Sequence, residues 1–429
     1  MNLDWRRLKA VVLESDDWGL CAWVPDEQAY RVLADTPAWR GATGRVYGRS
    51  TLEHAADVAR LAATLLEFRG GDGRPPVWQA NTVMATPDFE RLRPPLFEGE
   101  ALPLVHYPEF PSRWQRPGLG AAVREATEAG VWWPELHGLV HLPRAAWLHA
   151  LRRGISDARR AHEQQCLVCE AVEAAAEFDS SEPAALRSES LALAVERFRA
   201  CFGRAPSSLI APDYRWDARM EDDAESLGLT CIQGAAEQAG HPFPRLRRLL
   251  HRYRWPDARG RRFYLPPRTA FEPRGQHARG VRLGAAAAHR AARRAWGRGQ
   301  PAIVSSHRLN YAHLDSAWTE AGRAALRDLL ALLAADGAVF LTDAEVRALH
   351  DRAWSVRPVG EGAALLRYHG APGARVRFPA PAGAERVTLA ETPETPATSP
   401  ARPPRVTLEA GEVTAEVEPG AYLLRWGRA

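Results

Sequence analysis

Short apolar runs that each close on polar or aromatic side chains, with helix-length segments between them, limit what this chain can fold into. Ala10-Val11-Val12-Leu13-Glu14 runs into Ser15-Asp16-Asp17-Trp18, and Ala302-Ile303-Val304-Ser305-Ser306 into His307-Arg308-Leu309-Asn310-Tyr311. Ser208-Leu209-Ile210-Ala211 ends in Pro212-Asp213-Tyr214-Arg215-Trp216-Asp217, and Arg262-Phe263-Tyr264-Leu265 in the stretch Pro266 to Pro273. Continuous apolar runs of this length, separated by helices, read as parallel strands buried on both faces. Ser50 to Glu53 reads as a capping box that opens a helix with Leu52, Ala55, Ala59, Ala62 and Leu66 on one stripe and Gly70 as its C-cap. Leu186 to Phe202 is a second helix, stopped by Gly203. Ala321 to Ala335 is a third, followed by Gly337, the strand Ala338 to Leu341 and a capping box from Thr342 to Glu345. Strands alternating with helices, with polar residues at the strand exits, predict an α/β chain and a parallel (β/α) barrel whose site gathers at the carboxyl ends of the strands.

Asp16 and Asp17 raise a chemical question. Two carboxylates side by side at a strand end repel, and a cation, a shared proton or strong donors must hold them. Glu135-Leu136-His137-Gly138-Leu139-Val140-His141 supplies two imidazoles four residues apart. Asp17, His137 and His141 would make a three-ligand metal site with an open position, the pattern of a catalytic zinc-type centre. Either element alone has an ordinary reading, the acidic doublet as a solvated turn or helix N-terminus and the histidines as packing. Their joint appearance at the ends of apolar runs favours the metal.

Over residues 8 to 350 these elements resemble the polysaccharide deacetylase superfamily, with its NodB-homology fold. The resemblance implies a distorted barrel of seven to eight strands, with Asp16 as general base, Asp17, His137 and His141 as ligands to one divalent ion, most simply Zn2+, and His307 as general acid. The chain departs from the family pattern in three places. Ser15 and Trp18 flank the acidic pair, Gly138 stands where the family has Ser or Thr, and Ile210 stands where an arginine tethers the catalytic aspartate. Arg215 and Arg268 are the candidates to replace that tether. A backbone donor near Tyr214 is expected to meet oxyanion charge, and Trp18, Trp216 and Tyr311 to wall a sugar ring. With Asp213 and Asn310 these complete the candidate substrate contacts. The expected reaction is metal-dependent hydrolysis of an N-acetyl, or O-acetyl, group on a sugar or surface-polysaccharide precursor. Two other readings stand beside it: a non-catalytic carbohydrate-binding barrel, and a glycoside hydrolase pairing Asp16 with Asp213 or Glu272.

Composition bounds the rest. A barrel of about 250 residues leaves room in 429 residues for a second unit, and the texture changes after His350. Alternating runs at Ala364 to Tyr368, Ala374 to Phe378, Arg386 to Leu389, Arg405 to Leu408, Val413 to Val417 and Ala421 to Trp426 predict a small antiparallel β-sandwich. The expected domains are therefore 1–353 and 354–429, with the Pro/Thr-rich stretch Thr392 to Pro404 as a loop. The net charge of +4 is too mild to imply nucleic-acid binding. Lys9 is the only lysine. Arginine clusters at Arg245 to Arg248, Arg252 to Arg254 and Arg290 to Arg298 would meet an anionic glycan or a diphosphate-linked sugar, or else simply be solvated. No apolar stretch reaches the ~20 residues of a membrane span, and Met1 leads through Asp4, Arg6 and Arg7 into the first strand without a signal-like segment. With five cysteines, an odd number, a disulfide framework is not expected, and a cytoplasmic address follows. Cys166 and Cys169 fall in a segment, Ala158 to Phe178, that reads as helix. A carbohydrate is the expected partner, and the sequence is silent on oligomeric state.

Overall fold

The first strand, β1 (Ala10–Trp18), organises the computed structural model, which describes residues 3–93, 97, 102–170, 172, 176–234, 243–274, 283–380, 384–391 and 404–427. The other strands of its sheet are β2 (Trp78–Thr82), β5 (Trp132–Leu136), β6 (Ser208–Leu209), β7 (Cys231–Ile232), β8 (Asp257–Arg259), β9 (Arg262–Tyr264), β10 (Arg268–Ala270), β11 (Ala302–His307) and β12 (Val339–Leu341). A hairpin of β3 (Ala85–Pro87) and β4 (Leu104–His106) lies outside it. The ten strands run in the order β10-β11-β1-β2-β5-β6-β7-β9-β8, with β12 beside the start of β1. Every pairing is parallel except β8 with β9. The chain is thus mixed α/β around one large, mostly parallel sheet.

That sheet curls back on itself. From β10 to β9 the path crosses seven strand spacings, which would hold them about 34 Å apart if flat, whereas the three residues Leu265 to Pro267 joining them reach about 14 Å. Asn81, on β2, donates to Gln233, just past β7, at 3.0 Å, across three spacings that would measure about 14 Å in a flat sheet.

Alternation along β1 then sorts its side chains between two buried faces. Val11 and Leu13 pack outward into the larger core. Ala10 and Val12 pack inward with Phe263, Ile303, Leu341, Val346 and Leu349, and Glu14 and Asp16 follow on the same face by the two-residue period. The inner face is therefore apolar at its foot and charged at the strand exits.

Helices form where predicted at Ala184–Phe202, capped by Gly203 at φ 66°, at Ser316–Ala335, and at Asp343–Arg352 behind the Thr342–Glu345 capping box. Two expectations are corrected. The early helix spans Ala55–Leu66, with Asp57 closing on the His54 backbone N–H at 2.9 Å. Ser50 to Glu53 cannot cap it because the Glu53 carboxylate turns inward to Gly19 N at 2.9 Å and Arg308 Nη1 at 3.0 Å, and Gly70 lies past the helix end. Ala158 to Phe178 is not one helix: it stops at Glu163, and Gln165 takes φ 57°. Cys166 and Cys169 there are buried, and neither is in a disulfide among the described residues.

The C-terminal strands are β13 (Trp354–Pro358), β14 (Ala363–Tyr368), β15 (Ala374–Pro379), β16 (Arg386–Glu391), β17 (Arg405–Glu409), β18 (Glu412–Val417) and β19 (Gly420–Gly427). They form antiparallel sheets of order β13-β14-β19-β16 and β15-β18-β17, which share a core of Leu366, Leu424, Phe378, Val413 and Ala415. The six expected runs all appear and β13 adds a seventh. Residues 392–403 of the Pro/Thr-rich stretch lie outside the described residues. Arg367, with no exposed surface, fastens this unit to the parallel sheet. It donates to Asp72 Oδ2 at 2.9 Å and Phe340 O at 3.2 Å and pairs with Glu345, which also meets Arg357 at 3.2 Å.

Candidate metal centre

A bulge at the exit of β1 brings the two carboxylates to one side. Ser15 pairs with Ala80 and Trp18 with Thr82, so β1 spends one residue more than β2 over this step. In a regular strand Asp16 and Asp17 would face opposite ways. The extra residue, with Asp17 in the left-handed region at φ 73°, turns Asp17 toward the inner face. Such backbone strain persists where its surroundings over-determine it, and it gathers at functional sites.

The loop after β5 presents the histidines. Its backbone is pinned by His137 N to Thr82 O at 2.9 Å and Ala85 N to Leu139 O at 2.6 Å. Beneath it lies Glu177, whose carboxylate accepts the backbone N–H groups of Leu139 at 3.0 Å, Val140 at 3.2 Å and His141 at 2.9 Å. A Cβ at residue 138, which sits at φ +86°, would come within 2.4 Å of Glu177 Oε2. Glycine is required there because a buried carboxylate from a distant segment takes the space. Burial pushes Glu177 up to about 7, against the pull of the N–H groups of His141, Val140 and Leu139.

Asp17 Oδ1 lies 3.4 Å from His137 Nε2 and 3.3 Å from His141 Nε2, and the two Nε2 atoms are 3.2 Å apart. Four ligands at 2.0–2.1 Å around a tetrahedral ion stand about 3.3–3.4 Å from one another. The three atoms therefore outline one face of such a tetrahedron. His137 Nδ1 meets Ile210 O at 2.9 Å, which places its proton there and leaves Nε2 a lone pair for the shared point. Among the described residues this is the one cluster of three or more such side chains with metal-holding geometry, and its donor set fits a divalent ion of the zinc type.

On one flank stands Asp16. Its Oδ1 accepts from Asn81 Nδ2 at 2.7 Å and Arg268 Nη2 at 2.9 Å, while Oδ2 faces His307 Nε2 at 3.9 Å. Burial would raise this carboxyl, but Arg268, then His137 and His307, outweigh it and hold it at about 2. Arg268 is itself gripped by Glu14 at 2.6 Å and donates to the Tyr214 hydroxyl at 3.0 Å. The arginine that sequence alone left open is Arg268. Arg215 lies elsewhere, pairing with Asp213 at 2.8 Å and Asp179 at 3.3 Å.

On the other flank is His307. Its Nδ1 meets Glu272 Oε1 at 2.6 Å, and Glu272 Oε2 accepts from Asn310 Nδ2 at 2.7 Å. Burial opposes the charged ring, yet Glu272, then Asp17 and Asp16, lift it to about 10. His307 is thereby kept protonated. Asn310, also bonded to Ser306 Oγ and His307 O, holds the carboxylate that holds the histidine.

Several expected substrate contacts are placed otherwise. Trp18, Trp216 and Tyr311 are buried. Trp18 packs edge-on against Trp132 and donates to Ser15 Oγ at 2.9 Å, Trp216 donates to Glu221 at 3.0 Å, and Tyr311 packs on Trp78. A ring needs an open face to wall a sugar, and these faces are spent on the core. Tyr214 N already donates to Ala211 O at 3.0 Å, so that backbone donor is committed to its own turn, where Asp213 and Tyr214 both take φ 53°. Half-buried Trp23 and Tyr47 escaped the sequence reading. They stack at 5.9 Å, with Tyr47 edge-on to His307 at 6.2 Å. Trp23 lies past the exit motif of β1, in the link to the next helix, and Tyr47 ends a helix, so no exit motif marks them. Glu14, Asn81, Glu177 and Gln233 were missed for another reason: their partners are far along the chain.

No protein-family model and no curated protein sequence matches this chain. Similar solved structures include a provisionally named polysaccharide deacetylase from Mycobacterium smegmatis, 16% identical, with 79% of this chain and 90% of that one covered at a TM-score of 0.42. The carbohydrate deacetylase Agd3 is 11% identical, with 97% of this chain and 64% of that one covered at 0.34. The Thermotoga maritima alpha-fucosidase is 12% identical, with 99% and 97% covered at 0.35. One provisionally named polysaccharide deacetylase and one carbohydrate deacetylase thus stand among the structural neighbours, at low sequence identity.

Proposed function

We propose that this chain is a metal-dependent carbohydrate deacetylase that removes an N-acetyl, or O-acetyl, group from a sugar, using residues 1–353 as a distorted parallel (β/α) barrel and 354–429 as an appended β unit. The observation that carries the reading is a ligand triangle of Asp17, His137 and His141 flanked by Asp16, held by Arg268 at 2.9 Å, and by His307, held by Glu272 at 2.6 Å. The barrel is supported by the three-residue link between β9 and β10 and by the Asn81–Gln233 bond across it.

Asp17, His137 and His141 would hold the ion, zinc by donor set, which when bound polarises the acyl oxygen and acidifies water. The chain's own residues divide the proton work. Asp16 takes a proton from the attacking water through Oδ2, because Asn81 and Arg268 already occupy Oδ1. As the carbonyl carbon gains the water oxygen and the carbon–nitrogen bond breaks, His307 passes its proton to the departing amine. Glu272 stabilises the charged ring at the outset, and Asn310 keeps Glu272 aimed. Trp23 and Tyr47 replace the buried aromatics as the wall against which a sugar packs. A glycoside hydrolase needs two carboxylates across a bond, and here Asp213 is paired with Arg215 and Glu272 with His307. That reading also leaves both clustered imidazoles without work. Acetate release across a panel of N-acetyl and O-acetyl sugars, with and without chelator, tests the proposal. Release that chelator abolishes supports it, and glycosidic cleavage insensitive to chelator overturns it.

A further inference from the structure

The helix Pro244–Arg254, with sequence PRLRRLLHRYR, shows its apolar residues to solvent. Leu246 is 52% exposed, Leu249 50%, Leu250 39% and Tyr253 68%. At 3.6 residues per turn these four fall within an arc of about 100°. The opposite side of the helix faces the protein: buried His251 meets Leu265 O at 2.6 Å, Arg248 reaches Arg268 O at 3.5 Å, and Trp255, just past the helix, packs on Trp5 and Phe263. The leucine stripe therefore points directly away from the body that holds the helix.

Arginines line both margins of the stripe. Arg245 and Arg252 fall on one side of the wheel and Arg254 on the other, and the helix carries no acidic residue. Arg252 also meets the segment just past the helix Ala285–Gly297: Gln300 donates to Arg252 O at 2.5 Å. Burial, then the like charges of Arg252 and Arg294, loosen the proton of Arg298, as expected where three guanidinium groups crowd together. A second copy docking the same face would bring these cations against each other. An apolar stripe bordered by arginines instead matches a layer whose surface is anionic and whose interior is hydrocarbon.

We propose that the helix Pro244–Arg254 is a peripheral membrane-binding element that lays Leu246, Leu249, Leu250 and Tyr253 into an anionic phospholipid surface while its arginines meet the headgroups. No described helix is long and apolar enough to cross a membrane, so the contact is one of lying on the bilayer. The proposal stands apart from the deacetylase reading, since it uses none of the site residues.

Sedimentation of the full chain with phosphatidylcholine vesicles, with and without phosphatidylserine, tests it. The expected result is binding to the anionic vesicles that falls about fivefold for each arginine removed in Arg245→Gln and Arg252→Gln and weakens as salt rises. Leu246→Ser with Leu249→Ser should lower binding about tenfold or more, and Leu332→Ser, an exposed leucine on another helix, Ser316–Ala335, should leave it unchanged. Wild-type circular dichroism of each variant separates lost binding from lost folding, and the exposed Arg→Gln changes remain informative if the leucine variant misfolds. Failure of the wild type to sediment with anionic vesicles overturns the proposal, as does equal binding to neutral ones. A dimer in sedimentation velocity that the leucine variant converts to monomer, without vesicle binding, overturns it in favour of self-association.

Discussion

Two buried clusters of arginine and carboxylate lie within this fold, and they are built to different rules. Where the C-terminal sheets meet the parallel sheet, Arg357 and Arg367 face Glu345 and Asp72, two cations against two anions. At the exits of β1 and β11, Asp16, Asp17 and Glu272 outnumber Arg268 and His307, while burial, then the neighbouring Asp343, pushes the Glu14 carboxyl beneath them well above the usual carboxylate range. The first cluster is closed: its carboxylates end on guanidinium groups and backbone donors in ordinary helix and strand geometry. The second is left with negative charge to spare, a strained Asp17 and a triangle of donor atoms aimed at one point. Balance at low dielectric marks a joint, and imbalance held in place by strain marks a site.

The largest expected effect breaks the site while sparing the joint. Asp16→Asn should lower the acetate-release rate by about 10²–10⁴-fold, with metal content by elemental analysis unchanged and the thermal midpoint lowered, because a carboxylate held at about 2 stabilises the fold at neutral pH. Activity that survives would remove Asp16 as the base. The mirror experiment, Arg367→Ala, takes the guanidinium from Asp72 and leaves Glu345 with Arg357, and should cost about 3–5 kcal/mol in chemical denaturation, leaving kcat of the folded fraction as it was.

Glu177→Gln comes next. It weakens the carboxylate clasp on the His137–His141 loop and should reduce metal affinity about 10–100-fold in a chelator competition. An unchanged affinity would show that β5 and the Ala85–Leu139 bond suffice to shape the loop.

Acid should act on the joint more gently. Burial opposes the ionisation of Glu345, but Arg367 and then Arg357 outweigh it and hold its folded value below 4.5. A depressed folded value contributes stability that is present above about pH 4.5 and lost as pH falls through the folded value. Denaturation midpoints should decline below pH 4.5, and less so in Arg367→Met. Smallest of all is Arg215→Ala. Its pairs with Asp213 and Asp179 are part-exposed, and both stability and activity should change by less than about 1 kcal/mol. A large loss of kcat would return Arg215 to the site.

Periodicity and exit motifs are local properties, and what depends on them was readable from the residue order alone. That covers the buried strands Ala10–Trp18 and Ala302–His307, the helices closed by Gly203 and by Thr342 with Glu345, the C-terminal hairpins, and the candidacy of Asp16, Asp17, His137, His141 and His307. Tertiary structure decided what depends on contact between distant segments. It chose Arg268 over Arg215, set Glu272 on His307 and Glu177 under Gly138, and buried three aromatics that would otherwise have passed for a sugar wall. Arg268 and Asp16 are separated by 252 positions, and no local spacing encodes such a meeting. It arises because the sheet curls, and a curled sheet brings strands far apart in sequence to one inner face, where burial makes every unpaired charge costly enough to select its partner.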